Sequence, residues 1–366
     1  MSSPFDGMFE DIFRLVGQQG PDAWWQTAQQ LAMNVATSDG GDVNVDPLLR
    51  QRLDDVSELV SRRVDELVGG GAAGPVTAVT RAQLVTDTLA EWHPLISPDA
   101  VTPDVPAELA GNELLSRLLA TMGPLFLGFQ VGSAIGHFSA DAASGAELPL
   151  PRLAEGRAHL HLAAVARLAS ELTLPVDSVI IFAAARELLS RWLLADTGLS
   201  LSVTALLADA TRDALAVQGD LMGRLTDSLQ GGDMSALSNP EELLAGIDAG
   251  EPTAAMHRVS DVAEILYATL IEGALQVTES FVGPVNALRD YFRSPESLNR
   301  SSIGGAAGIF GLSMNVSEAG WTFAEVVRDL GADAFVALRR VDGAPLSSEC
   351  RDVAAWWQRV SNSPLA

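Results

Sequence analysis

A mainly α fold with minor β is what the sequence predicts, and three observations carry the expectation. Apolar residues recur at spacings of three and four along most of the 366 residues. Sustained two-residue alternation is almost absent. Breaks fall at glycine and proline clusters rather than at hairpin signals: Gly69 to Gly74, Ser97 to Pro106 and Ala143 to Pro151.

Between these breaks the spacing predicts helices over 21–36, 46–68, 81–92, 106–137, 175–195, 201–229, 261–282, 316–330 and 347–360. Pro175 suits the first turn of its helix, and Asp177 places negative charge near that N-terminus. In the fourth helix Gly128, Gly132 and Gly136 repeat every four residues, a pattern that lets another helix approach closely. Leu118 to Gly136 is uncharged, but Pro124, Gln130 and the diluting glycines mark it as a core helix, not a membrane span. Arg157 to Ala163 alternates and is the best strand candidate; a strand would put His159 and His161 on one face. Gly304, Gly305, Gly308 and Gly311 read as a close-packing turn, because no strand precedes them and no lysine could reach a phosphate.

Composition narrows the function classes. Acidic residues number 47 against 23 basic ones, and every base is an arginine. A formal charge of −24 argues against nucleic acid and anionic membrane surfaces as partners. The single cysteine, Cys350, excludes a disulfide framework and cysteine-rich zinc modules. The acidic opening residues lack the basic and apolar regions of a secretory signal, so a cytoplasmic location is expected. No serine or cysteine sits in a nucleophile-elbow context.

Three sites invite chemistry, and each has a plainer reading. A His-x-His pair on a strand, His159 and His161, can ligate a metal or simply hydrogen-bond to neighbours. Arg186, Glu187, Ser190 and Arg191 form a polar arc of about 140° on an otherwise apolar helix. On pattern alone that arc is a solvated face with a Glu187–Arg191 pair at i,i+4. Glu272 lies with Asp261, Glu264, Gln276 and Glu279 on one side of an ordinary amphipathic helix.

Read in order, several segments resemble a bacterial family of zinc-dependent hydrolases with a zincin-like fold, labelled as associated with biosynthesis of a deazaflavin cofactor. They are Phe9 to Gly17, Trp24-Trp25 with Gln29 to Ala32, Thr80-Arg81 leading to Glu91-Trp92-His93-Pro94-Leu95, and Gly128 to Gly136. Further on come Leu148 to Pro151, Ile271-Glu272-Gly273, Phe310 to Met314, and Pro345 to Val360 with its Trp356-Trp357. The resemblance implies one zincin-like domain over residues 1–366, with a helical layer over 1–105 and the part bearing the active-site helices over 106–366.

Such families carry His-Glu-x-x-His, in which two imidazoles one turn apart ligate zinc and the glutamate takes a proton from metal-bound water. The corresponding stretch here is Arg186-Glu187-Leu188-Leu189-Ser190, so only the would-be base is retained. On the later helix Glu272-Gly273 match, and Val277 stands where the resemblance places a histidine. A guanidinium offers no lone pair and a hydroxyl is a feeble zinc ligand. The expectation is therefore a zincin-like chain with no catalytic residues and no zinc or other cofactor, with Arg186 in the volume a metal would fill and paired to Glu272, Glu187 or both.

The functional expectation is a non-catalytic module binding a protein, peptide or small ligand in the former catalytic cleft. The alternative is an active, peptidase-like hydrolase with a relocated metal site at His159 and His161. A third class, a structural or oligomerisation module, predicts a large exposed apolar patch, and exposure of Trp24-Trp25 or Trp356-Trp357 would support it, although their spacing suits burial equally well.

Overall fold

The computed structural model describes residues 23–38, 44–72, 74–96, 113–213, 252–294, 297 and 301–362, with the side chains of 113–126 and 301 excepted. The expected break over 97–106, the opening Phe9 to Gly17, and the parts of expected helices before residue 23, over 106–112 and beyond 213 lie outside them. The mainly α expectation holds. The helices are α1 (Ala23–Thr37), α2 (Pro47–Val68), α3 (Arg81–Trp92), α4 (Glu113–Asp141), α5 (Leu162–Glu171), α6 (Val176–Leu194) and α7 (198–213). There follow α8 (Ala254–Val282), α9 (Asn286–Arg293), α10 (Ser301–Ile309), α11 (Glu318–Leu330), α12 (Ala332–Leu338) and α13 (Val353–Asn362). Two short strands, β1 (Thr77–Val79) and β2 (His159–His161), pair in parallel with Thr77 opposite His159 and Val79 opposite His161.

Local chemistry sets the ends of the helices. Asp46 caps α2 by accepting from the Leu48 N–H, Pro47 takes the first turn, and Gly69 ends the helix in the left-handed region at φ 81°. Thr80 and Gln83 form a reciprocal capping box at the start of α3. Asp177, in the first turn of α6, also pairs with Arg52 of α2 at 2.8 Å.

The glycine spacing of α4 has the consequence that the sequence suggests. Helix α1 lies so close that a Cβ at Gly132 would stand 2.6 Å from the Ala28 carbonyl oxygen and 2.9 Å from its Cα; one at Gly128 would collide with the Trp24 carbonyl. Among the described residues no helix is long and apolar enough to cross a membrane.

Helix α6 runs through the middle. It packs against α8 and α2, then α5, β2 and a 3-10 turn over Gly145–Glu147, and every residue from Ser178 to Leu194 is buried. Trp24, Trp25 and Trp356 belong to the same continuous core, with Trp25 tilted against His93 and Trp356 against Phe323. These three tryptophans are therefore buried and do not supply the exposed anchors that would have supported an oligomerisation module.

Four helices escape the sequence reading. The glycine segment taken for a turn is helical as α10, held by Ile303, Ala306 and Ala307 buried against α4, so tertiary packing overrides glycine's low propensity. Helices α9 and α12, of eight and seven residues, are too short for a periodicity signal. Helix α5 follows β2 without a break.

Because the obstruction at position 132 is backbone, Gly132→Val should destabilise by more than the roughly 1–3 kcal/mol typical of overpacking a core. Urea unfolding of the variant checks this, and a loss below about 0.5 kcal/mol, the ordinary effect of a surface change, would contradict the packing described.

Candidate functional site

The polar arc of α6 is not solvated. Arg186, Glu187, Ser190 and Arg191 are all buried, Glu187 and Ser190 completely. The plain reading fails because α6 is wrapped on every side, so a polar stripe that periodicity assigns to solvent meets other protein groups instead. Its i,i+4 pair is real: Arg191 Nε donates to Glu187 Oε1 at 2.8 Å.

That pair is half of a closed ring. Arg152, from the segment before β2, donates from Nη2 to the same Glu187 oxygen at 2.8 Å, and its Nε lies 3.0 Å from Glu91 Oε2. Arg191 Nη2 donates to Glu91 Oε1 at 2.8 Å. Two carboxylates and two guanidiniums thus alternate in the interior and tie α3, the 143–158 segment and α6 together. Two glycines make the room: a Cβ at Gly145 would run into the Arg152 guanidinium, and one at Gly156 into that of Arg191. Burial pushes the Glu187 carboxyl up, but the Arg152 and Arg191 charges outweigh it and hold the group below the usual carboxylate range. In the same way Glu187 and Glu91 overcome burial at Arg152 and raise its already high value.

Arg186 points elsewhere. Neighbouring positions on a helix diverge by about 100°, so Arg186 and Glu187 do not face each other. The expected partners, Glu187 and Glu272, are replaced by Glu147 of the 3-10 turn, whose Oε2 lies 2.7 Å from Arg186 Nη1. The guanidinium also sits over the rings of Tyr267 and Phe292.

Glu272, fully buried on α8, has its own arginines. Arg293 of α9 donates to Oε1 and Arg328 of α11 to Oε2, each at 2.7 Å. Arg293 reaches on to Glu325 and lies over Trp321. The would-be base and the later-helix acid are therefore held by separate sets of cations. Val277, in the place of a histidine, is buried apolar core.

His159 and His161 occur on a strand, as their spacing predicts, and both are buried. His159 Nε2 stands 3.5 Å from Asp87 Oδ2. Among the described residues no group of three or more His, Cys, Asp or Glu is placed to hold a metal ion.

A family model described as zincin-like metallopeptidase matches residues 24–356. The chain belongs to this zincin-like family. A solved structure from Chloroflexus aurantiacus, described as "a putative hydrolase with a novel fold", shares the fold with a TM-score of 0.56 at 13% identity, over 93% of this chain and 99% of that one. A comparison with curated proteins finds no match.

In a zincin-like chain, zinc requires lone-pair donors on adjacent turns of the active-site helix. The positions that resemble the motif hold a guanidinium, a carboxylate with one oxygen already accepting from two guanidiniums, and a serine hydroxyl. This donor set does not fit the ion. The sequence reading found Arg186, Glu187, Ser190 and Glu272 but missed Glu147, Arg152, Arg293 and Arg328; Glu91 entered it only as part of a resembling segment. One signal was available for Glu147 and Arg152, which flank Leu-Pro-Leu-Pro as opposite charges.

The ring makes a pH-dependent prediction. A carboxyl whose folded pKa is depressed contributes stability in full above its ordinary value of about 4.3, and that contribution fades as the pH falls through the folded value. Glu187→Gln should therefore cost about 3–5 kcal/mol at pH 7, the loss typical of breaking a buried pair. The gap from the parent should narrow below pH ~4. Urea unfolding at neutral and acid pH measures both; a pH-independent gap would refute the pairing.

Proposed function

We propose that this member of the zincin-like family works without a catalytic metal, as a cytoplasmic module that binds a protein, peptide or small ligand. One observation carries the reading: Glu187, the group that would act as base, is sealed between Arg152 and Arg191. A general base must reach the proton it takes and must gain by taking it. Glu187 is fully buried, and two guanidiniums favour its charged form.

The binding half of the proposal rests on surface properties. The −24 charge favours basic partners and steers their encounter. A cleft of about 490 Å³ between α4 and α10, lined by Phe129, Gln130, Ser133, His137, Ser302 and Ile309, offers a place for an uncharged segment or small molecule. It lies on a different pair of helices from the motif positions.

Metal analysis of tag-free protein tests the reading. Zinc well below one ion per chain is expected, both as purified and after incubation with excess zinc and gel filtration. A tightly held ion at one per chain, together with hydrolysis of a peptide library that a chelator abolishes, would overturn it in favour of a relocated site at His159 and His161.

A further inference from the structure

The ring around Glu187 is closed by its own four members and leaves Arg186 to a separate site. The Arg186 guanidinium carbon lies 5.0 Å from the Tyr267 ring centroid and 5.3 Å from that of Phe292. Nη1 donates to Glu147 Oε2 at 2.7 Å, Nη2 reaches the Glu147 carbonyl at 3.5 Å, and the buried Nε has no acceptor. One carboxylate, one carbonyl and two ring faces, drawn from three separate elements, thus enclose a single cation. The walls have supports of their own. Phe292 stacks on Phe182 at 4.9 Å, and Tyr267 meets Trp321 edge-on at 6.5 Å. A planar, weakly hydrated guanidinium suits such a box better than a compact ammonium, because it can stack while it bonds in its plane.

We propose that Glu147, Tyr267 and Phe292 form a guanidinium-binding site that the chain fills with its own Arg186. The ligand class is a monoalkylguanidinium, not a metal ion and not an anion. The side chain at 186 is therefore a built-in occupant, and emptying the position should leave a receptive cage. This inference stands apart from the partner-binding role: the cage can exist whether or not a partner does.

Chemical rescue tests it. Arg186→Ala should melt well below the parent, and methylguanidinium should restore most of the lost Tm saturably while barely shifting the parent. Neutral N-methylurea at equal concentration should restore nothing, and Glu147→Gln in the same background should abolish the rescue. A methylguanidinium shift no larger in the variant than in the parent, or an equal shift with N-methylurea, would overturn the proposal. If Arg186→Ala does not fold, the cycle of Arg186→Gln, Glu147→Gln and the double variant decides. Coupling of at least about tenfold in the folding equilibrium supports the site, and additive effects refute it.

Discussion

A carboxylate with no solvent contact stays ionised in a protein interior only where cations and hydrogen bonds replace its lost hydration. Glu187 meets that condition through Arg152 and Arg191, and much of the surrounding architecture answers to it. Glu91 must come from α3 to occupy the other side of both guanidiniums. The 143–158 segment must pass close enough to deliver Arg152, and glycine at 145 and 156 leaves the two guanidiniums where they are. Every base in the chain is arginine, and the ring shows what that side chain supplies: Arg191 serves two acids at once from different nitrogens, in a plane that a lysine could not present.

The two retained acids illustrate two ways of settling buried charge. Glu187 is compensated in the deep interior by groups that are themselves buried, so desolvation falls on all four members and geometry has to be good. Glu272 is fully buried, but Arg293 and Arg328 remain about 30% and 26% exposed, so their cations keep part of their hydration and make a clasp at the rim. Glu272 has both oxygens bonded to guanidiniums, whereas Glu187 is bonded through Oε1 alone. In both places it is arginine that supplies the balancing cation.

Much of the fold was legible because apolar periodicity reports burial directly. The long helices, the strand at His159 to His161 and the close helix contact at Gly128 to Gly136 all follow from spacing. The ring was not legible. Its helical members look like parts of solvated faces and Arg152 like a loop charge, since a pattern of polar residues cannot say whether water or a guanidinium faces them. Arg186 shows the same limit from the other side: its identity excluded a metal ligand, but its partner sits 39 residues away in a 3-10 turn that no periodicity marks.

The ring also bears on how the chain folds. Its members come from positions 91, 152, 187 and 191, and the Glu91–Arg191 bond spans 100 residues. A half-assembled intermediate that had already collapsed around α6 would bury the Glu187–Arg191 pair without the bonds that Arg152 and Glu91 add to it. Buried ions that lack part of their bonding are costly, so the ring rewards only a core in which all four distant members have met, and contacts of such long range slow the search for it.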